Sequence, residues 1–407
     1  MYDWANSAFA CITLAFIFPI YFADVAAAEL PVHMRTASFG YITGIALVCI
    51  AIASPIFGAI ADFLNIRKKL LILLMLLGAT SCLCMYFIHK GDFILASVLF
   101  VIGNIGFAGG NVFYESLLPL VAKRGDIDRL SIAGYALGYL GGGVLFALCI
   151  VMILNWQYLG LSDRGHAVRI SLASVGVWWV AFAIPLIKNI KETKPSQNVH
   201  LTLFSATKRS FRQIKNTLID LPSHREIFLF LLAFWFYMDG VGTIIKMAAI
   251  YGREIGISAS HLMGAGLTVQ FLGMPFTFLF GYIAAKWSSK TGLYITLVVY
   301  MIICCFGYFM NAPWHFWLLA IMVSMVQGGC QALSRSIFSN LIPKDRSAEF
   351  FAFYSVSSRF AGIIGPLLFG GIAQFTGNSR SSILFLIFFF AIGILILRKL
   401  DLSHANT

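Results

Sequence analysis

Long apolar runs separated by short polar segments occupy most of the chain, and this pattern predicts twelve helices. Each run is close to the length of about 20 residues that a helix needs to cross a bilayer. The runs cover residues 4–23, 38–61, 69–88, 92–121, 130–154, 168–188, 226–250, 259–285, 292–310, 313–341, 349–374 and 380–399. We therefore expect an all-α membrane protein with 12 transmembrane helices in two six-helix bundles.

One sizeable polar stretch separates the two sets of six runs. It predicts an amino-terminal bundle over 1–188, a cytoplasmic linker over 189–225 and a carboxyl-terminal bundle over 226–407. Between Leu201 and Leu218, apolar residues alternate with Lys and Arg at helical spacing. This spacing predicts a basic amphipathic helix on the inner membrane surface, although a solvated helix tying the bundles together explains it equally well.

Two landmarks recur at nearly the same distance along the chain. The segments Gly58–Asp62 and Gly281–Lys286 are 223 residues apart, and Leu117–Pro119 and Leu341–Pro343 are 224 apart. A repeat with an even number of helices keeps its orientation in the membrane. The bundles should therefore be related by a pseudo-two-fold axis along the membrane normal.

Composition supports a membrane protein and argues against an enzyme. Of the 407 residues, 59% are hydrophobic and 11% are charged, against roughly a quarter charged in an ordinary soluble domain. Twelve spans leave too few residues for a separate catalytic domain, and the chain has no Gly-x-x-x-x-Gly-Lys-Ser/Thr loop for ATP. We expect no catalytic residues and no cofactor. The eight cysteines lie in apolar segments without the spacing or His partners of a metal site.

The net charge of +12 comes from Lys and Arg in short loops rather than on one exposed face. This distribution argues against a nucleic-acid partner and is typical of residues that set membrane topology. With both termini cytoplasmic, 20 of the 29 Lys and Arg fall on the inner side and six on the outer side. The predicted orientation therefore has both termini in the cytoplasm.

Six ionisable side chains stand out as candidates for burial in the membrane, where an unpaired charge costs several kcal/mol. They are three acids and three bases: Asp3, Glu115, Asp239, Lys246, Arg335 and Arg359. A cavity with both signs of charge suits a zwitterion, whose carboxylate and ammonium each need a partner, better than a lipophilic cation. Ion pairs that only tie helices together would explain the same six residues.

The seventh predicted helix carries the strongest candidate, Asp239, near its centre. Lys246 lies about 20° around that helix and about 10 Å along it, so the two share a face. Trp235 and Thr243, four residues on either side of Asp239, extend this face. We expect Asp239 to be reversibly protonated, because burial favours the neutral carboxyl group and a bound cation favours the carboxylate.

Polar side chains also line one face of the fourth and tenth helices, at spacings of four and seven residues. The substrate-binding candidates are Asn104, Asn111, Trp235, Asp239, Thr243, Lys246, Gln327, Gln331 and Arg335. The coupling candidates are Asp239, Glu115, Asp3 and Arg359.

The turn after the second helix contains the gating candidates Gly58, Asp62, Arg67 and Lys68. An acid at a helix end can hold a basic loop or a neighbouring helix start in one state and release it in another. Topology anchoring alone would explain the two bases but not Asp62. Glycines spaced for close helix contact occur in the fifth helix (Gly134, Gly138, Gly142) and the eleventh (Gly362, Gly365, Gly370, Gly371), where packing and hinge roles are both possible.

This architecture and the turn from Gly58 to Lys68 resemble the major facilitator superfamily, whose loop between helices two and three carries Gly-x-x-x-Asp-Arg/Lys followed by basic residues. The basic residues come a few positions late here, and the second copy has Ala285 in place of Asp. Four longer strings resemble the branch with the autophagy-related vacuolar amino-acid effluxers and their bacterial relatives. These strings are Tyr2–Phe9, Gly134–Gly142, Phe236–Gly240 and Gln327–Ser336.

The resemblance implies a secondary transporter whose helices one, four, seven and ten line a central cavity. We expect it to move a small polar organic solute, amino acids first, by alternating access, with proton coupling and a preference for export. Its partners would be the solute, the lipid bilayer and protons, with the chain acting as a monomer in a bacterial inner membrane. The alternatives are a lipid or lipophilic-drug exporter, a non-transporting sensor or scaffold, and an intramembrane enzyme. The enzyme is the least favoured, because it would need a nucleophile with a base or a metal cluster, and the sequence suggests neither.

Overall fold

The computed structural model describes residues 1–64, 67–121, 127–189, 224–342, 354, 357 and 360–401. Within the helices, side chains are not described at 54–64, 115–121, 127–133, 135, 136, 278, 281, 284 and 285. The amphipathic helix predicted between Leu201 and Leu218 lies outside the described residues.

The described residues form twelve helices, labelled α1 to α12 in chain order. They are α1 Tyr2–Ala26, α2 Val32–Leu64, α3 Arg67–Cys84, α4 Phe93–Val121, α5 Ile127–Leu154, α6 Arg164–Asn189, α7 Arg225–Glu254, α8 Ala259–Lys286, α9 Ser289–Tyr308, α10 Pro313–Leu341, α11 Ile364–Thr376 and α12 Arg380–Arg398. Ten of these, all except α8 and α11, contain a segment long and apolar enough to cross a membrane. Exposed apolar side chains such as Leu73, Phe87 and Leu148 suit contact with lipid tails.

The chain divides into two compact units. The first comprises Met1–Glu29 and Ile45–Lys215, and the second comprises Leu30–Gly44 and Asn216–Thr407. The start of α2 therefore groups with the second unit, whereas the sequence pattern alone assigns every residue up to 188 to the first bundle.

Helix α1 is longer than the predicted 4–23 and is not regular. Two π-helical turns interrupt it, at Phe9–Phe16 and Phe22–Ala26. Pro19 follows the first π-helical turn by three residues. A proline has no N–H and its ring clashes with the carbonyl four residues earlier, so a regular α-helix cannot continue through this point. Wider turns of this kind restore backbone hydrogen bonding around proline in a membrane helix.

Glycines allow the helices of the first unit to touch through their backbones. A Cβ atom added at Gly106 of α4 would lie 2.5 Å from the backbone nitrogen of Gly78 in α3 and 2.7 Å from the carbonyl oxygen of Leu74. In α5, Cβ atoms at Gly134, Gly138 and Gly142 would lie within 2.9 Å of atoms of α1. Close contact through small residues is how membrane helices gain packing energy without a hydrophobic driving force between them.

The two units contain similar tyrosine contacts. In the first unit, the Tyr21 hydroxyl of α1 donates to the carbonyl oxygen of Ile88, just beyond α3, at 2.8 Å. In the second unit, the Tyr251 hydroxyl of α7 donates to the carbonyl oxygen of Gly307 in α9 at 2.7 Å. In each case, therefore, a tyrosine near the end of one helix is hydrogen-bonded to the end of the helix two further along the chain.

The repeat is broken in α11. The sequence predicts one continuous helix over 349–374, and this is wrong at 361–363, where the chain turns before α11 begins at Ile364. Gly362 has φ +108°, a conformation that residues with a Cβ atom rarely adopt. Gly138 and Gly141 precede Gly362 and Gly365 by 224 residues each, yet α5 runs without a break through its pair.

We predict that Gly106→Ala lowers the free energy of unfolding by about 1–3 kcal/mol, because the added methyl group meets backbone atoms of α3 that cannot move aside. Gly109→Ala on the same helix is the control, since among the described residues its Cβ would meet only the side chain of Leu74, at 3.1 Å or more. Thermal unfolding of the purified protein in detergent measures both. Equal stability of the two variants would contradict the backbone contact.

Candidate functional site

Asp239 lies at the midpoint of α7 and is almost fully buried, with 3% of its surface exposed. Its carboxylate oxygen Oδ1 accepts a hydrogen bond of 2.8 Å from the backbone N–H of Gly365. The backbone N–H groups of Gly362 and Ile364 also interact with this carboxylate. A carboxylate in the middle of an apolar helix is therefore bound by the backbone of the α11 region.

The start of α11 explains why a carboxylate binds there. The first N–H groups of any helix have no partner within that helix, and the aligned peptide dipoles place about half a positive charge at this end. Pro366, in the first turn of α11, has no N–H. The N–H groups just before it, on Ile364 and Gly365, are therefore the ones that need an acceptor, and Asp239 supplies it.

The backbone of α11 approaches α7 too closely for any side chain at position 365. A Cβ atom there would lie 1.9 Å from the Thr243 hydroxyl oxygen and 2.7 Å from Asp239 Oδ1. Thr243 is fully buried, and its hydroxyl donates to the carbonyl oxygen of Asp239 at 2.7 Å. Glycine at 365 is what allows the helix start to reach the carboxylate.

Lys246 brings a positive charge to the same place. It lies seven residues after Asp239 on α7 and interacts electrostatically with it. Its ammonium nitrogen Nζ would be 3.5 Å from a Cβ atom at Gly362. Among the described residues, no ion pair within 4.0 Å joins Lys246 to a carboxylate. The locus formed by Asp239, Lys246, Gly362 and Gly365 is called the α7–α11 site below.

Two more carboxylates of α7 bind backbone N–H groups of the terminal part of the chain. Glu226, in the first turn, accepts from the N–H of Asp401 at 2.8 Å. Glu254, the last residue of α7, accepts from the N–H and the hydroxyl of Ser379, which precedes α12, at 3.0 and 2.5 Å. The bond of Asp239 is thus the middle one of three along α7.

A second polar locus lies in the first unit, between α1 and α4. The Tyr114 hydroxyl donates to the carboxylate of Asp3, and the ring of Tyr2 lies over Tyr114 with 4.6 Å between the ring centroids. The side-chain amide of Asn6 donates to the Asn111 side-chain oxygen at 2.6 Å. A carboxylate–phenol pair and an amide pair therefore lie side by side on the same two helices.

The other predicted substrate residues differ in exposure and partners. Asn104 is buried and donates to the carbonyl oxygen of Phe100 in its own helix at 2.8 Å. On α10, Gln327 is partly exposed, and Gln331 and Arg335 are exposed. Trp235 on α7 is 38% exposed. The structure thus brings Asp239, Thr243 and Lys246 together in the second unit, and Asp3 and Asn111 in the first.

Four predicted residues, Gly58, Asp62, Glu115 and Arg359, lie wholly or partly outside the described part of the structure. The backbones of Gly58 and Asp62 belong to α2 and that of Glu115 to α4, but their side chains are not described. Arg359 lies outside the described residues. Arg67 and Lys68 form the first turn of α3.

Sequence reasoning did not identify three partners in these sites: Asn6, Tyr114 and the N–H of Gly365. Tyr114 follows Asn111 by three residues, so helical spacing could have placed it on the same face. Asn6 lies in the string Tyr2–Phe9 that carries the family resemblance. The N–H of Gly365 has no sequence signal, because every residue except proline has one.

The chemistry of the α7–α11 site is that of charge recognition. It offers a carboxylate, an ammonium group and backbone N–H donors, but no nucleophile paired with a base. Within the parts of the chain that the structure describes, no group of three or more His, Cys, Asp or Glu is placed to hold a metal ion. Such a site can bind and release charged groups.

Solved structures of other proteins share the fold of this chain. A D-xylose–proton symporter matches with a TM-score of 0.70 at 13% identity, covering 100% of this chain and 98% of its own. A bacterial homologue of the human lysosomal transporter Spinster, solved inward-facing and occupied, matches with a TM-score of 0.65 at 15% identity, covering 99% and 95%. The fold is that of the major facilitator superfamily (MFS), in an all-α membrane protein.

Sequence comparison identifies the family. The chain belongs to the family described as "Vacuole effluxer Atg22 like", whose model matches residues 1–407. An uncharacterised MFS-type transporter of Bacillus subtilis, YxiO, is 37% identical over 400 residues, which covers 98% of this chain and 92% of YxiO. Autophagy-related protein 22-2 of Penicillium rubens is 23% identical, covering 87% and 74%. The protein is an MFS-type membrane transporter.

We predict that Gly365→Ala destabilises the protein by about 1–3 kcal/mol, because the methyl group would displace Thr243 or Asp239 from the start of α11. Gly371→Ala in the same helix is a matched control, since the Tyr41 hydroxyl oxygen, at 3.8 Å, is the one atom of the described residues near its Cβ. Chemical or thermal unfolding in detergent compares the two. If Gly365→Ala proves as stable as Gly371→Ala, the close approach of α11 to α7 is wrong.

Proposed function

We propose that this transporter moves small zwitterionic solutes, amino acids first, in the direction of export and coupled to protons. Movement would follow alternating access of two six-helix halves, 1–188 and 226–407, joined by the linker 189–225. The family description as an effluxer supports the direction. We further propose that the chain works as a monomer in a bacterial inner membrane with both termini cytoplasmic, as the distribution of Lys and Arg favours.

One observation supports the proposed zwitterionic substrate: a buried carboxylate, a lysine and a helix start lie together in the α7–α11 site. Asp239 is 3% exposed, and its partners are backbone N–H groups and the charge of Lys246. A zwitterion needs one acceptor for its ammonium and donors for its carboxylate, and this locus has both. A lipophilic solute would need neither group, and leaving them unpaired inside a membrane would cost several kcal/mol.

Proton coupling would depend on the charge of Asp239. Loss of the negative charge weakens its bond to the Gly365 N–H, because hydrogen bonds to ionised groups are about twice as strong as neutral ones. Among the described residues, Lys246 is the charged group that interacts with this carboxylate. Protonation would therefore loosen the start of α11 and leave Lys246 without its counter-charge. Asp3, Glu115 and Arg359 are proposed as further coupling residues, and the Asp3–Tyr114 pair supports the first of them.

The remaining polar residues are proposed for solute contact and gating. Asn104, Asn111, Trp235, Thr243, Gln327, Gln331 and Arg335 would line the solute path with Asp239 and Lys246. Gly58, Asp62, Arg67 and Lys68 would form a gate after the second helix.

We predict that Asp239→Asn abolishes solute accumulation driven by a pH gradient, while exchange of labelled for unlabelled solute continues with an apparent affinity about tenfold weaker. Asparagine keeps an oxygen that can accept from the Gly365 N–H but carries no charge, so folding should be preserved. Purified protein in liposomes, tested with a panel of labelled amino acids, measures both activities.

Glu254→Gln is the matched control, because it also neutralises a carboxylate of α7 that binds a backbone N–H. It should leave the pH-driven accumulation unchanged. Accumulation by Asp239→Asn at the level of the natural protein would remove Asp239 from proton coupling. If the natural protein is folded and correctly oriented and exchanges no amino acid, the substrate assignment fails, and lipid export or a scaffold role takes its place.

A further inference from the structure

We propose that the start of α11 and Lys246 together form the subsite for the solute's carboxylate group, and that Asp239 occupies this subsite when no solute is present. The inference rests on the proposed transport of zwitterions. It adds that the protein carries an internal competitor for its own anion site. The ligand class that the subsite recognises is a monocarboxylate.

The charges at the site sum to about half a positive charge while Asp239 is ionised. Asp239 contributes one negative charge, Lys246 one positive charge, and a helix start about half a positive charge. The sum remains positive while Asp239 is ionised. A second carboxylate is therefore attracted to this site, whereas an isolated ammonium ion is not. Binding of a zwitterion leaves the net charge of the site unchanged, because the solute's ammonium group pairs with the Asp239 carboxylate that the solute's carboxylate displaces.

The donors of the site suit a carboxylate in geometry as well as in charge. The Gly365 N–H already holds one carboxylate oxygen at 2.8 Å, and the N–H groups of Gly362 and Ile364 interact with the same group. Neither Gly362 nor Gly365 has a Cβ atom to cover the backbone. Lys246 Nζ lies beside Gly362, and its donors are not engaged by hydrogen bonds to other described residues.

Exchange of carboxylates would connect solute binding to α11. As the solute's carboxylate takes the backbone N–H groups and approaches Lys246, the Asp239 side chain is released from Gly365. It is then an acceptor for the solute's ammonium group, whose nitrogen is three bonds from the carboxylate oxygens in an α-amino acid. The start of α11 keeps an acceptor throughout, so its N–H groups never remain unpaired in the membrane.

The test uses purified protein in detergent and three probes: propionate, which has only the carboxylate, ethylamine, which has only the ammonium group, and L-alanine, which has both. Binding is measured as the concentration of each probe that gives half of the maximal rise in unfolding temperature, at constant ionic strength. Propionate is added as its sodium salt, ethylamine as its chloride and L-alanine as the zwitterion. The variants are Asp239→Asn, which weakens the internal competitor by removing its charge, and Lys246→Met, which removes the cation. Lys286→Met is the control, because Lys286 is an exposed cation at the end of α8.

We expect propionate to bind Asp239→Asn about tenfold more tightly than the natural protein, because no charged carboxylate competes for the donors. The advantage of alanine over propionate should disappear in this variant, since its ammonium group has lost its partner. Lys246→Met should weaken propionate about tenfold, Lys286→Met should not change it, and ethylamine should not bind the natural protein better than alanine does.

Unchanged propionate binding in Asp239→Asn would overturn the internal competition. If Lys246→Met does not fold, the comparison of propionate in Asp239→Asn with the natural protein still decides the matter. The inference and the proposed function can fail separately. A propionate response without exchange of any amino acid in liposomes removes the proposed function and keeps the anion subsite, whereas amino-acid exchange with no propionate response removes only the subsite.

Discussion

The membrane interior offers no water to hydrogen-bond a free backbone group, and this constraint governs the second unit of the protein. A helix that starts inside the bilayer exposes N–H groups that cost several kcal/mol each if they stay unpaired. The turn before Ile364 creates a helix start beside the midpoint of α7, and the buried carboxylate of Asp239 pairs with it. The start of α11 and the Asp239 carboxylate stabilise each other, because the buried carboxylate also needs the N–H donors.

Helix α7 binds the terminal part of the chain through three of its carboxylates. Its carboxylates at the beginning, the middle and the end bind backbone N–H groups of Asp401, Gly365 and Ser379. The two outer bonds lie at the ends of α7, where water and lipid headgroups can replace them. Only the middle one is buried within the helix span, so its exchange for another carboxylate has consequences that the other two lack.

The features predictable from sequence are those that the lipid bilayer imposes on the chain. The positions of the helices follow from the thickness of the bilayer, and Asp239 and Lys246 stand out because charges are rare in apolar runs. The break before α11 was not predictable, since Gly362 and Gly365 also suit close packing, and their counterparts Gly138 and Gly141 lie in an unbroken helix. Backbone donors such as the Gly365 N–H, and cross-helix pairs such as Asn6 with Asn111, arise only from tertiary structure.

The π-helical turns of α1 have a consequence for the other polar locus. A helix advances by about 100° per residue, so a wide turn changes the rotational phase between the segments on either side of it. The π-helical stretch Phe9–Phe16 separates the string with Asp3 and Asn6 from the part of α1 with Tyr21. The π-helical stretch therefore sets the rotation of the first turns of α1, which contact Tyr114 and Asn111, relative to its last turns, which contact Ile88.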